Sequence, residues 1–150
     1  MTDKDILLDE VNRRMRDSMI AHLGITITGI SPTTVEATMP VDARTCQPMG
    51  ILHGGASLTL AETMAGLGSM MLIGKDETAV GMEVTGNHVS SAPVGTMLHA
   101  ESSLIHKGRS THLWNTNIYT PENKLVSTVR VLNCIVRKKD CSAASEESAT

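Results

Sequence analysis

Hydrophobic residues recur with the period of an α-helix in two parts of the chain. Over residues 3–19 they fall on one face, and Gly24 follows them, so this segment predicts an amphipathic helix. Over residues 57–73 a second stripe is formed by Leu60, Met64, Leu67 and Met71. Another face of this segment carries small residues, which would let a second backbone approach closely. The pattern therefore predicts an amphipathic helix and, later in the chain, a long buried helix.

Elsewhere apolar and polar residues alternate, as they do in half-buried strands. Residues 34–39 show this alternation between the two predicted helices. After Gly74, segments rich in Val, Thr, Ile and Leu are separated by turn residues and predict four strands, over residues 79–88, 96–106, 111–119 and 125–136. One strand, a long helix and four consecutive strands indicate an α+β fold with an antiparallel sheet.

Length and composition fit one globular domain. The chain has 150 residues, of which 41% are hydrophobic and 19% charged. We assign this domain to residues 1–137. Residues 138–150 show no apolar periodicity, and we expect them to form a disordered tail.

Charge and residue counts exclude several classes of function. The net charge of −3 excludes the basic surface that a DNA-binding protein needs. The only aromatic residues of the Phe, Trp and Tyr type are Trp114 and Tyr119, which are too few for base stacking by a single-strand binder. Three cysteines without a C-x-x-C pair, and histidines without metal-ligand spacing, predict neither disulfides nor a metal site. The charged N-terminus is not a secretory signal, and the longest apolar tract contains Glu62. We expect a cytoplasmic protein with no membrane segment.

One carboxylate stands alone in the least charged part of the chain. Glu62 carries the only formal charge in residues 45–74, with His counted as neutral. Because burying an unpaired carboxylate costs several kcal/mol, Glu62 either points to solvent or serves the chemistry of a site. Gln47, His53 and the pair Gly54–Gly55 precede it, at the start of the predicted helix. Free N–H groups at a helix start can polarise a carbonyl or hold an oxyanion.

The chain resembles hot-dog-fold acyl-CoA thioesterases, in the branch that contains proofreading and aryl-CoA thioesterases. The signature lies in the residues from Gln47 to Gly55, followed by Leu60-Ala61-Glu62-Thr63. The resemblance extends over about residues 20–136. It implies a hot-dog fold, in which an antiparallel sheet wraps around a long central helix. It also implies hydrolysis of a small acyl- or aryl-CoA thioester without a cofactor.

The resemblance implies a set of site residues as well. Glu62 would be the nucleophile or general base, and Gln47 would position the water or the substrate. The N–H of Gly54 would polarise the thioester carbonyl, with His53 close by. The residues expected to contact the substrate are Gly55, Met64, Gly66, His88, Val89, Ser90 and Arg109.

The spacing of Gly54 and Glu62 bears on the oligomeric state. They are eight positions apart, about 12 Å along one continuous helix, so one thioester cannot touch both. An antiparallel helix of a second subunit could bring its Glu62 to the first subunit's Gly54. We therefore expect a homodimer or homotetramer with the active site at the subunit interface.

Two positions depart from the pattern of the family. Gly66 stands where relatives often carry Ser or Thr, which removes a hydroxyl near the carboxylate. Ser90-Ser91 stands where Arg-Pro is common, which removes a cation for the phosphates of CoA. Arg109 or Lys107 could supply such a cation, since phosphates are bound by Arg and Lys side chains.

Other functions remain open from the sequence. The chain could bind acyl-CoA without catalysis, or hydrolyse thioesters of an acyl carrier protein. A hot-dog hydratase is disfavoured because no Asp lies between Asp42 and Asp76. A thiolate nucleophile at Cys46 is disfavoured because no orienting third group is evident.

Overall fold

The computed structural model describes residues 2–139. Two N-terminal helices, α1 (Asp3–Arg14) and α2 (Met19–His22), lead into strands β1 (Thr26–Ile30) and β2 (Thr34–Pro40). A long loop connects β2 to helix α3 (Gly54–Met70). Four strands complete the fold: β3 (Glu77–His88), β4 (Met97–Lys107), β5 (Thr111–Tyr119) and β6 (Leu125–Arg137).

All six strands form one antiparallel sheet in the order β1-β2-β4-β5-β6-β3. The sheet curls around α3, which contacts strands from β2 to β6. This arrangement confirms the predicted α+β fold of hot-dog type. β3 lies at one edge of the sheet and pairs only with β6 among the described strands.

The inner face of the sheet takes up the small residues of α3. Trp114 is fully buried, and a methyl group added at Gly68 would lie 2.5 Å from its ring. The indole N–H of Trp114 donates to Ser69 Oγ at 2.9 Å, and Asn133 Nδ2 donates to the same oxygen at 3.0 Å. The small-residue face expected to admit another backbone is therefore filled by the chain's own sheet.

The N-terminal region differs from its prediction in two places. A capping box between Thr2 and Asp5 begins α1, which ends at Arg14 instead of continuing to residue 19. Ser18 then caps α2 as a separate short helix. The sequence pattern also missed β1, a short strand that is fixed by long-range contacts. The side chain of Asn12 bonds to both the N–H and the carbonyl of Ile27, each at 2.9 Å, and so joins α1 to β1.

The last strand ends at Arg137, where the predicted domain ends. The predicted tail lies outside the described residues from position 140 onward. Within residues 2–139, none of the helices combines the length and the hydropathy that crossing a bilayer requires.

Candidate active site

The first turn of α3 presents a free backbone N–H. His53 is the N-cap residue, and its Nδ1 accepts a hydrogen bond from the N–H of Gly55 at 2.8 Å. The N–H of Ala56 donates to the carbonyl of His53 at 3.0 Å. Among residues 2–139 the N–H of Gly54 donates to no other group. It therefore remains available to a ligand at the positive end of the helix dipole.

The imidazole of His88 lies directly against Gly54. A methyl group added at Gly54 would lie 2.5 Å from His88 Nε2, so any larger residue at this position would displace the His88 ring. The other ring nitrogen, Nδ1, lies 2.8 Å from Ser127 Oγ. The pairing of β3 with β6 sets this contact, because it places His88 opposite Ser127.

These groups line a pocket of about 290 Å³, near the lower end of the range for ligand sites. The pocket brings together four of the predicted site residues, Gly54, His88, Val89 and Ser90. Its other lining residues are Ile51, Leu52, Ser57, Ser91, Val126 and Ser127. Apolar residues and serines therefore line the pocket together.

Glu62 lies farther along α3, and its carboxylate rests on Gly81 of β3. A methyl group at Gly81 would lie 2.5 Å from Glu62 Oε1. A β-bulge follows directly, because the register shifts between Gly81 and Glu83. No group in the described part of the chain forms a hydrogen bond or ion pair with Glu62. In the single chain Glu62 therefore points to solvent, which is the simpler of the two sequence interpretations.

Gly54 and Glu62 do not meet within one chain. About 12 Å of helix separates them, as the spacing predicts. On β3, Gly54 contacts His88, and Glu62 contacts Gly81. These two strand residues are about 23 Å apart along the strand, at a rise of about 3.3 Å per residue. The two candidate groups therefore lie at two separate places in the chain, which we call the Gly54 half-site and the Glu62 half-site.

Gln47 lies in the loop before α3, outside the lining of the pocket. The side-chain Oε1 of Gln47 accepts a hydrogen bond from the backbone N–H of Met49 at 2.6 Å. The backbone N–H of Gln47 donates to the carbonyl of Ile51 at 2.8 Å. The N–H of His53 donates to the carbonyl of Thr45 at 2.9 Å. These bonds tie the loop together, so Gln47 and His53 are held on one rigid segment.

The remaining predicted residues lie in different surroundings. Met64 is a fully buried core residue, because its face of α3 is turned toward the sheet. Gly66, one turn beyond Glu62, has open space where a side chain would be. Arg109 is exposed in the turn between β4 and β5. The register carries this turn toward Val80, so Arg109 belongs to the Glu62 end of the sheet.

The sequence analysis missed the six other lining residues of the pocket, and it missed Gly81. Ser57 and Ser127 are two of those lining residues, and Gly81 makes room for Glu62. A glycine inside a strand often marks a close approach, so Gly81 had a usable signal. The two serines had none, because the packing of α3 on β6 that brings them together is a property of the folded chain.

Comparison with known proteins identifies relatives of the whole domain. Residues 49–127 match the family described as the Thioesterase superfamily. The chain is 34% identical over 128 residues to the proofreading thioesterase EntH of Klebsiella pneumoniae, covering 85% of this chain and 93% of EntH. The crystal structure of a thioesterase from Haemophilus influenzae has a TM-score of 0.84 at 36% identity, covering 90% of this chain and 94% of that one.

A more distant structure shares the fold alone. It is a hypothetical thioesterase protein with coenzyme A from Streptococcus pneumoniae. Its TM-score is 0.69 at 20% identity, and the match covers 77% of this chain and 91% of that one.

Proposed function

Because the chain belongs to the thioesterase superfamily, with its hot-dog fold, we propose that it hydrolyses a small acyl- or aryl-CoA thioester to the free acid and CoA. One observation carries the proposal. A pocket at the start of α3 holds the free N–H of Gly54, while the carboxylate of Glu62 on the same helix is exposed and bonded to none of the described residues. The first group suits an oxyanion, and the second suits a nucleophile or general base.

The Gly54 N–H polarises the thioester carbonyl in this mechanism. Attack on the carbonyl carbon places negative charge on its oxygen, and the N–H and the helix dipole stabilise that charge. A preorganised donor of this kind contributes roughly 3–4 kcal/mol to the transition state in comparable sites. His53 supports the donor, since its bond to the N–H of Gly55 holds the first turn of α3 in place.

Glu62 of the partner subunit completes the site. It either attacks the thioester carbon or removes a proton from the attacking water, and Gln47 positions that water or the substrate. The thiolate of CoA then leaves as the tetrahedral intermediate collapses. If water is the attacking group, the collapse yields the free acid directly; if Glu62 is the nucleophile, water then hydrolyses the mixed anhydride on Glu62 to release the acid and regenerate the carboxylate. Each dimer would contain two such sites, and a homotetramer would contain four.

The free edge of β3 supports this assembly. Val80, Met82 and Val89 are exposed hydrophobic residues on or beside that strand. An exposed edge strand can pair with the same strand of a second copy. Antiparallel pairing about a two-fold axis between Val84 and Thr85 would set Gly81 of one copy opposite the partner's His88. Because Glu62 rests on Gly81 and His88 rests on Gly54, this register would join the two half-sites.

The substrate would enter at the pocket and extend along the partner's helix. His88, Val89 and Ser90 line the pocket, with Gly55 beside it in the first turn. The partner's Gly66 leaves room beyond the carboxylate for the acyl group. The partner's Arg109 lies at the same end as its Glu62 and would serve the CoA phosphates.

Thiol release from benzoyl-CoA and hexanoyl-CoA tests the proposal, with a thiol reagent as the detector. We expect turnover by the wild type and a fall in kcat of at least about 10² in Glu62→Gln, the scale of a lost base or nucleophile. Glu101→Gln is the matched control, because Glu101 is an exposed carboxylate on β4, outside both half-sites. CoA binding without thiol release would contradict the enzyme assignment, and turnover of carrier-protein thioesters alone would contradict the CoA assignment.

A further inference from the structure

We infer that Ser127 is a positioning residue that holds the ring of His88 against Gly54, an inference that rests on the proposed function of this pocket. Ser127 is fully buried at the inner face of β6, whereas His88 at the end of β3 is exposed. The only polar link between the ring and the interior, among the described residues, is the 2.8 Å contact from His88 Nδ1 to Ser127 Oγ. An exposed ring is thus anchored by a buried hydroxyl.

A second buried serine lies on the other side of the Ser127 hydroxyl. Ser127 Oγ makes a long contact, at 3.4 Å, as donor to Ser57 Oγ, and Ser57 belongs to the first helical turn that also contains Gly54. Because a hydroxyl has one hydrogen to give, a Ser127 that donates to Ser57 accepts from His88 Nδ1–H. In that arrangement an imidazole with one proton carries it on Nδ1 and presents a lone pair on Nε2.

The consequence is a donor and an acceptor side by side in the pocket. The Gly54 N–H suits the thioester oxygen, and the adjacent His88 Nε2 suits a water or a substrate group that carries a hydrogen. Strand pairing fixes the backbone of His88 but leaves its ring free to turn toward solvent. Ser127 removes that freedom, and small misplacements of reacting groups have large effects on rate.

The matched pair Ser127→Thr and Ser127→Val tests the hydroxyl separately from side-chain size, since Thr and Val have nearly the same shape. We expect kcat with benzoyl-CoA to stay within about threefold of wild type in the Thr variant and to fall about tenfold in the Val variant. In a His88→Ala background the Thr and Val variants should have equal kcat, because the serine acts through the ring. Equal losses in the Thr and Val variants with His88 present, or an unchanged difference without His88, would overturn the inference.

The nitrogen chemical shifts of the His88 ring give a readout that needs no turnover. We expect the Nδ1–H tautomer to dominate in the wild type and the Thr variant, and a mixture of tautomers in the Val variant. An identical tautomer mixture in all three proteins would overturn the inference even if every one is active. Conversely, a Ser127-dependent tautomer in a protein that hydrolyses no thioester would contradict the proposed function and leave the anchoring of His88 standing.

Discussion

Replacing Gly81 by alanine should separate activity from stability, because this glycine serves Glu62 and little else. The added methyl group would lie 2.5 Å from Glu62 Oε1, whereas ordinary contacts begin at 3.4 Å. The carboxylate must therefore move by about 1 Å, and a misplacement of that size can lower a rate about 10²-fold. We expect kcat of Gly81→Ala to fall by roughly one to two orders of magnitude.

The same substitution should leave the fold intact or slightly stabilise it. Gly81 is exposed on an edge strand, and the displaced atom is the free end of a flexible side chain. Replacing glycine by alanine where the backbone allows it stabilises a protein by about 0.4–1 kcal/mol. For a domain of this size that corresponds to a rise in Tm of about 1–4 °C.

Thiol release and thermal unfolding of the same preparations provide the measurement. Gly74→Ala is the matched control, because Gly74 is also exposed and its nearest side-chain atom would lie at an ordinary 3.5 Å. Wild-type kcat in Gly81→Ala would refute the placement of Glu62 in the reaction. A large fall in Tm together with kcat would show that Gly81 is structural.

Further predictions concern the pocket, the assembly and the core. Gly54→Ala should lower kcat at least about tenfold, because its methyl group would displace the His88 ring while the N–H remains; turnover equal to wild type would argue against the pocket as the site. Light scattering should report at least twice the 16.0 kDa mass of one chain, and an active monomer would contradict the shared site. Mixing inactive Glu62→Gln with inactive Gly54→Val should restore turnover, since one site of each mixed dimer is intact; a mixture without activity would place both groups in one chain. Burial lowers the pKa of His112 from its ordinary 6.5. Below about pH 6.5 this histidine is therefore protonated in the unfolded chain before it is protonated in the folded chain, so the free energy of unfolding should fall as the pH drops. Tm should decrease from pH 7.5 to 5.5, and a similar decrease in His112→Asn would show that other groups cause it.

Much of the fold could be predicted because its elements have local patterns. The long helix was expected over residues 57–73 and spans Gly54–Met70, and the four strands after it lie close to their predicted positions. β1 was not predicted because its five residues, which include Gly29, give too short an alternation. The end of α1 was not predicted because the apolar stripe continues through Ser18, where the N-cap of α2 begins a separate helix.

The residues of the candidate site were predictable where they are neighbours in sequence, or where the family resemblance marks them, as it does His88, Val89 and Ser90. Gly54 and His53 were found from the helix start, and Glu62 from its isolation among uncharged residues. Ser127 and Gly81 depend on the β3–β6 register and on the approach of α3 to β3, which arise from long-range packing. Met64 shows the opposite case, since a residue beside the site in sequence faces the core in the fold.

The burial of Trp114 gives the protein a built-in optical probe. The chain contains no other tryptophan, and this one packs on Gly68 with its N–H bonded to Ser69. Its fluorescence therefore reports from a single place, the contact between the C-terminal half of α3 and the sheet. Both half-sites are built on α3, so an unchanged emission spectrum would certify that a variant keeps the scaffold on which its chemistry depends. A shift of the emission maximum to longer wavelength would signal that water has reached this contact, before any assay of turnover is run.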